Sequence, residues 1–532
     1  MKTQCLNPYL PSWEYIPDGE PHVFGGRVYV YGSHDRAHGF VFCQNDYVCW
    51  SAPVDDLSDW RYEGVIYKKT NDPLNRDGHM VLYAPDVTQG PDGRYYLYYV
   101  LDKAKVVSVA VCDSPAGKYQ FYGYVKYPCG TLLGEKDGDE PQFDPGLLTE
   151  GDKVYLYTGL GVIGDKSRRG GMATLLASDM LTIVEEPVYI IPSGPYGAGT
   201  SYEGHEFFEA PSMRKIGDTY YLIYSSVHMT ELCYAASKHP TKGFVYGGVI
   251  VSNCDLGIDS YKPAEKRMYP YGNNHGSIAN ISGQWYIFYH RMTNDTWFSR
   301  QACVERIEVK PDGSIPQVEM TSQGASEKPL PAQGVYPAYI ACNLFSDSPA
   351  EVTGLGASGS VKVAAKTARI TQNNADNCPT HSIGCTKHIP EDISHGNETG
   401  ACTYCAPYPP MDNADEINAK FLCPHSWEAS CQPKYENDAL IAEITTSTTI
   451  GFKYFHMQNV KKLTLTTRAY GRGDFEVRTA LGGPVHGLVS IVSANIWTKF
   501  AGDVNLPDGV HPLYLTYTGT GSISLRDIEF GE

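Results

Sequence analysis

One phrase recurs five times along the first 291 residues: GRVYVYGSH (26–34), GRYYLYYVL (93–101), DKVYLYTGL (152–160), DTYYLIYSS (218–226) and GQWYIFYHR (283–291). Each copy begins at a glycine or polar turn position and continues with apolar and aromatic residues at β-strand spacing. The copies start roughly 60–70 residues apart, and such self-similarity marks a chain built from repeated structural units. Between them lie further short alternating segments, among them KVVSVAVCDS (105–114), GMATLLASD (171–179) and ELCYAASKH (231–239). Each unit therefore holds about four strands, and extended helical periodicity is nearly absent. Five four-stranded units in one chain predict an all-β fold, a five-bladed β-propeller. A β-sandwich or a β-helix is the alternative, but solenoid repeats are usually shorter, about 20–50 residues.

The innermost strand of each propeller blade lines a shared channel, so residues at one offset from the phrase meet near the axis. Seven or eight positions before the glycine that precedes or opens each copy stand Asp18, Asp86, Asp144, Glu209 and His275. A lone carboxylate there is an ordinary turn cap. Five ionisable groups in equivalent places are a different matter, because gathering like charges costs free energy unless a cation or a function compensates. Paired carboxyls suit glycoside hydrolysis, where one donates a proton to the leaving oxygen and the other activates water. A third carboxylate nearby raises the pKa of the acid.

Composition narrows the partners. The 532 residues carry 43 Lys and Arg against 60 Asp and Glu, a net charge of −17 that disfavours nucleic acid and anionic membranes. The 40 Tyr and 53 Gly suit β structure with many turns, and tyrosines also suit sugar binding. No Gly-rich Lys-Ser/Thr phosphate loop occurs. The start, MKTQCLNPYL, lacks the apolar core of a secretion signal, so a cytoplasmic location is expected. Monomer and homo-oligomer are both left open.

The stretch TSQGASEKPLPAQG (321–334) reads as a linker. It separates a catalytic propeller (1–320) from a second domain (336–532), with the linker taken as 321–335. Strands such as TTIGFKYFHM (448–457), KKLTLTTRAY (461–470) and GDFEVRTAL (473–481) predict a β-sandwich there. An insertion near 374–435 interrupts it with Cys378, Cys385, Cys402, Cys405, Cys423 and Cys431. Of these only Cys402 and Cys405 form a close pair, so a structural zinc, disulfides and free thiols are all compatible with the spacing. The other nine of the 15 cysteines read as reduced core thiols.

The motifs IPDGEPHVF, YAPDV, FEAPS and NNHGS, in this order and at blade spacing, resemble the five-bladed family 43 glycoside hydrolases over residues of about 7–320. The resemblance implies inversion of configuration by three carboxylates: Asp18 as general base, Glu209 as general acid, and Asp86 as the residue that tunes and orients the acid. It further implies a calcium or other cation near the axial His275, with Asp144 a channel or metal-shell residue. Arg300 matches an arginine that contacts the terminal sugar, and His290 is grouped with it as a substrate-binding candidate. Where many members have Asp-Pro, this chain has PDGEP, which leaves Glu20 as the near competitor for the base. Trp13, Tyr15 and Phe24 are expected to wall the pocket, with core packing as the alternative. The second domain resembles family 6-type carbohydrate-binding jelly rolls, most clearly in LPDGVHPLYLTYTGTGSISLRDIEF (506–530).

The expected activity is removal of terminal α-L-arabinofuranosyl or β-D-xylosyl groups from plant-derived oligosaccharides. The competing readings are a catalytically silent carbohydrate-binding propeller and an exo-galactosidase of the same fold. The full set Asp18, Asp86 and Glu209 favours an enzyme, since a binding module has no need of clustered carboxylates.

Overall fold

The computed structural model describes residues 4–531 apart from 13, 37–40, 259–266, 294–297, 299, 347–351, 354–361, 364–368 and 373–438. Trp13 and the Cys-rich insertion, with all six of its cysteines and any zinc they would hold, lie outside the described residues.

The repeated phrase forms the second strand of each of five antiparallel sheets. The first sheet is β1 (Glu20–Phe24), β2 (Arg27–Tyr31), β3 (Tyr47–Pro53) and β4 (Arg61–Tyr67). The second is β5 (Asp86–Gln89), β6 (Tyr95–Tyr99), β7 (Ser108–Cys112) and β8 (Gln120–Tyr124). The third is β9 (Gly146–Glu150), β10 (Lys153–Thr158), β11 (Gly170–Leu176) and β12 (Ile183–Pro192). The fourth is β13 (Phe207–Ile216), β14 (Thr219–Ser226), β15 (Glu231–Ser237) and β16 (Val245–Ser252). The fifth is β17 (Ile278–Ile281), β18 (Gln284–Met292) and β19 (Arg300–Ile307). The helical elements among the described residues are short 3-10 turns.

The aromatics of the phrase explain its repetition. Alternate residues of each copy face opposite neighbours, and the layers between blades are built from them. Tyr31, Tyr47, Leu97 and Tyr99 fill the layer between the first two blades. Tyr157, Phe207, Leu222 and Tyr224 fill the layer between the third and fourth. A tyrosine can serve there because its hydroxyl finds a partner, as when Tyr99 donates to Asp72 at 2.7 Å.

The fifth sheet has three strands where four are expected, and the start of the chain covers its outer edge. The N–H of Tyr9 donates to the Ala302 carbonyl on β19 (3.1 Å). The Asn7 side chain imitates a strand, accepting from the Val304 N–H (2.9 Å) and donating to the Val304 carbonyl (2.9 Å). The ring is thus closed between its first and last blades, which also meet at a bridge between Gly19 and Gly276.

The second unit is a sandwich of two six-stranded sheets. Thr449–Met457, Gly509–Thr520, Arg472–Arg478 and Gly487–Ile491 run through one sheet, and Ala439–Ile444, Ile523–Gly531, Lys462–Ala469 and Ala494–Asp503 through the other. Its core, which includes Phe452, Phe475, Leu513 and Leu525, is continuous with Tyr221, Ile287, Tyr289 and Cys303 of the fourth and fifth blades. Residues 321–334, read from sequence as a linker, are a bound connection. Ser322 and Leu330 are fully buried, and Thr321 hydrogen-bonds Glu305 through both its N–H (2.7 Å) and its hydroxyl (2.6 Å). A buried ion pair rivets the junction, Lys453 Nζ lying 3.0 Å from Asp255 of the propeller.

The nine described cysteines are free thiols, seven of them buried, with Cys112 partly and Cys129 fully exposed. No helix of the described residues is long and apolar enough to cross a membrane.

Candidate active site

The five ionisable residues stand at the entry to the five inner strands. Asp18, Asp144 and His275 lie just before β1, β9 and β17, Asp86 opens β5, and Glu209 lies near the start of β13. The backbone there is held in the left-handed region at Asp18 (φ 59°), Asp144 (φ 44°) and Ala210 (φ 65°). Such conformations cost free energy in residues with a Cβ and persist where the surroundings impose them. The register of β13 against β14 also shifts on both sides of Glu209, so the acidic residue sits on an irregular stretch that re-aims its side chain. Gly146 admits close approach of the neighbouring blade, since a Cβ there would lie 1.9 Å from the Pro211 carbonyl oxygen. That approach lets the Ala210 N–H donate to Oδ2 of Asp144 at 3.2 Å.

Asp18 is buried, with Oδ1 held by a cation. Nη1 of Arg300 donates to its Oδ1 at 2.9 Å. The same guanidinium forks onto Asp35, with Nε 2.8 Å from Oδ2 and Nη2 3.0 Å from Oδ1. Burial works to protonate Asp18, but Arg300 first, and then His275, hold its carboxyl below the ordinary range. The Asp18 N–H donates to Nδ1 of His290 at 3.2 Å, and Nε2 of His290 donates to the Asn273 carbonyl at 2.9 Å. These bonds define a neutral ring, and burial followed by Arg300 push its pKa down to about 3. Both ring nitrogens of His290, expected to bind substrate, are taken by the backbone of Asp18 and Asn273.

Glu209 sits in the same cluster with the opposite bias. Burial, then the charge of Asp18, push it up to about 7, against Arg300 and a hydrogen bond from the Asn273 side chain. Asp144 is raised well above its ordinary value by burial, then by Glu209 and Asp18. Each member of the Asp144–Glu209 pair opposes ionisation of the other, so the two titrate as a unit.

Asp86 is placed elsewhere. One of its oxygens takes His22 Nε2 at 2.6 Å and the Val87 N–H at 2.7 Å, and the other takes the Leu147 N–H at 2.7 Å. The carboxylates that share an electrostatic field with Glu209 are Asp18 and Asp144, whereas the side chain of Asp86, expected to tune the acid, is taken up by His22 and two backbone N–H groups. The physical reason is side-chain direction: the same offset along the chain admits two aims, and Asp86 points to its own blade's entry and to β1.

Asp86 belongs to a second layer on the axis. Glu20, His22 and Asp86 present ligand atoms within 4.8 Å of one another. Glu20 accepts from Arg214 (2.8 Å) and from Ser212 (3.0 Å), and burial, then Asp86, push its pKa up to about 8. Glu20 is therefore committed to Arg214, and Asp18 is the carboxylate beside Arg300. His275 lies between the layers, Nδ1 being 3.6 Å from Asp144 and 3.9 Å from Asp18, and Nε2 4.0 Å from Glu20. Burial holds its imidazole neutral, against Asp18. A neutral imidazole ringed by carboxylates just beyond hydrogen-bond reach is a donor set that fits a hard cation bound partly through water.

Of the expected aromatic wall, the two described members, Tyr15 and Phe24, stand elsewhere. Tyr15 is 2 % exposed and packed in the interior. Phe24 stands at the far end of β1, edge-on to Tyr95 at 5.0 Å. The aromatics beside Arg300 are instead Phe42, whose ring lies 4.7 Å from the guanidinium, and Phe298, edge-on to Phe42 at 4.7 Å. With Phe208, Tyr271, Met229 and Met292 they form one apolar cluster. Sequence reasoning missed both, and missed Asp35. Phe298 stands two residues before Arg300, a signal that was there to use; Phe42 and Asp35 come from the β2–β3 connection and carried none.

The description "Glycosyl hydrolases family 43" matches residues 17–315. A xylosidase/arabinosidase of Thermoclostridium stercorarium is 58% identical over 526 residues, covering 99% of this chain and 98% of that protein. A xylosidase/arabinosidase of Bacteroides ovatus is 28% identical over 359 residues, covering 60% of this chain and 99% of that one. Among solved structures, a family 43 β-xylosidase/α-arabinofuranosidase from a compost microbial metagenome, in complex with xylotriose and in calcium-free form, matches with a TM-score of 0.47. It is 26% identical and covers 60% of this chain and 98% of its own.

Proposed function

The chain belongs to family 43 of the glycosyl hydrolases, and we propose that it removes terminal α-L-arabinofuranosyl and β-D-xylosyl groups from oligosaccharides with inversion of configuration. The sugar specificity rests on the 58% identical xylosidase/arabinosidase that matches nearly its whole length. The observation that carries the mechanism is the separation of two neighbouring carboxyls. Arg300 holds Asp18 below the usual carboxylate range while burial and Asp18 itself push Glu209 up to about 7. Environments that drive two titratable groups apart assign the base and the acid.

In this reading Asp18 takes a proton from water as the water oxygen bonds to the anomeric carbon. The bond from that carbon to the leaving oxygen breaks, and Glu209 protonates the departing oxygen. Positive charge that develops on the sugar ring is stabilised by the clustered carboxylates. Burial and the charge of Asp18 hold the proton on Glu209 towards neutral pH, Arg300 keeps Asp18 charged, and His290 fixes its backbone. A hard cation such as calcium near His275, held with Glu20 and Asp144, would offset the repulsion among these carboxylates.

The test is a proton NMR time course with aryl β-D-xyloside and aryl α-L-arabinofuranoside. The first-formed sugar is expected to carry the opposite anomeric configuration to the substrate. Retention of configuration overturns the assignment of Asp18 as a base acting through water.

A further inference from the structure

A second cluster of ligating side chains lies on the rim of the fourth blade, apart from the axis. His205 stands in the segment entering β13, His228 in the turn between β14 and β15, and Glu231 and Cys233 on β15. Glu231 and Cys233 are two residues apart on one strand and therefore share a face. Nδ1 of His205 lies 2.9 Å from Oε2 of Glu231, and Sγ of Cys233 lies 3.3 Å from that same oxygen. Nδ1, Sγ and a Glu231 oxygen all lie within 4.8 Å of one another. Nε2 of His228 is 3.8 Å from the other oxygen, Oε1, and its ring centroid is 5.7 Å from that of His205.

We propose that this cluster is a binding site for a borderline-soft divalent metal ion of the zinc or cobalt(II) type, ligated by His205, Glu231 and Cys233, with His228 as the fourth ligand. Tetrahedral bonds of about 2.0–2.3 Å separate neighbouring ligand atoms by roughly 3.3–3.7 Å. The Nδ1–Oε2 and Sγ–Oε2 separations reach that by opening a few tenths of an ångström, and the exposed His228 ring, which lies outside that close group, would swing in as the fourth ligand. A thiolate beside imidazoles selects such ions over calcium. Charge also balances: a thiolate and a carboxylate neutralise the dication, as a site whose Cys233 is fully buried and whose Glu231 is 8% exposed requires. Binding releases the Cys233 thiol proton and any proton shared by His205 and Glu231.

The surroundings hold the ligands in orientation, as metal sites require. The Tyr246 ring stacks on His205 at 4.9 Å and 12°, and the Tyr246 hydroxyl hydrogen-bonds Cys233. The Tyr224 hydroxyl donates to the His205 carbonyl at 2.8 Å. A bound ion would tie the segment entering β13 to β15, and so brace the strand that carries Glu209 four residues beyond His205.

The experiment titrates chelator-treated, reduced protein with cobalt(II), compared with Cys233→Ser, His205→Gln and His228→Gln. The expected result is one equivalent of cobalt with a near-ultraviolet thiolate-to-cobalt charge-transfer band that disappears in Cys233→Ser. Because six further cysteines lie in residues 378–431, the band counts only as the difference between wild type and variant. His205→Gln, at a half-buried position, should weaken zinc binding, read by competition with a chromophoric chelator, by about tenfold or more. His205→Gln also covers the case in which Cys233→Ser fails to fold. Equal cobalt stoichiometry and equal zinc affinity in wild type and His205→Gln overturn the proposal, as does a wild-type spectrum with no variant-sensitive thiolate band.

Discussion

Nη1 of Arg300 lies 2.9 Å from Oδ1 of Asp18 while Nε and Nη2 of the same guanidinium fork onto Asp35. One buried cation thus serves two buried carboxylates, and Asp18 is held below the usual carboxylate range because a planar fork can bind one group squarely and reach a second. Arg300→Met removes the main influence that lowers the Asp18 pKa. The base then protonates at higher pH, so the acid limb of kcat/KM should move up by about one pH unit or more. Arg300→Lys keeps the charge but loses the fork, and its limb should fall between the two. An acid limb that stays in place in folded Arg300→Met excludes Arg300 as the group that keeps Asp18 charged.

Glu209→Gln removes the proton donor. Hydrolysis of natural oligosaccharides should fall about 10²–10⁴-fold, whereas aryl glycosides with a strongly acidic leaving phenol should lose far less, since they depart without protonation. Equal losses on both substrate types would remove Glu209 from the acid role.

Asp144→Asn and Asp86→Asn separate two carboxylates that occupy the same offset in the sequence. Asp144 and Glu209 titrate as one pair, and the pair gives up its last proton at a pH raised by the repulsion between the two carboxylates. In Asp144→Asn, Glu209 titrates without that repulsion, so the basic limb should move to lower pH by about a unit or more. Asp86→Asn should leave the limb where it is and act through His22 and the Leu147 N–H instead. The reverse pattern in the two pH–rate profiles would return the tuning role to Asp86.

Lys453→Met removes the positive charge beside Asp255, which keeps its hydrogen bonds from the Asn343 amide and the Met320 N–H, at a junction where both charged groups have no exposed surface. Leaving one partner of a buried pair uncompensated costs about 3–5 kcal/mol. Denaturant unfolding of Lys453→Met should show that loss, and the double variant Lys453→Met/Asp255→Asn should recover part of it. Unfolding curves that superimpose on wild type would mean that water reaches the pair.

The architecture and the roll of axial residues were legible in the sequence, because a propeller writes its radial symmetry into the chain as a period. Five copies of one strand phrase placed Asp18, Asp86, Asp144, Glu209 and His275 at the entries to five inner strands without any knowledge of tertiary contacts. The period does not encode where a side chain points once it arrives. Asp144 meets Glu209 because its backbone is left-handed and Gly146 lets Pro211 close in, while Asp86 turns to His22 and the Leu147 N–H. Nor does it encode contacts made across the whole chain. Asp35 against Arg300, Asn7 against Val304 and Lys453 against Asp255 join residues 265, 297 and 198 positions apart. Each of those residue types is ordinary in its local sequence. Only folding puts them where burial strips away water and makes the partner decisive, and that is why the surroundings of Asp144, Arg300 and His290 came from the tertiary structure and not from the repeat.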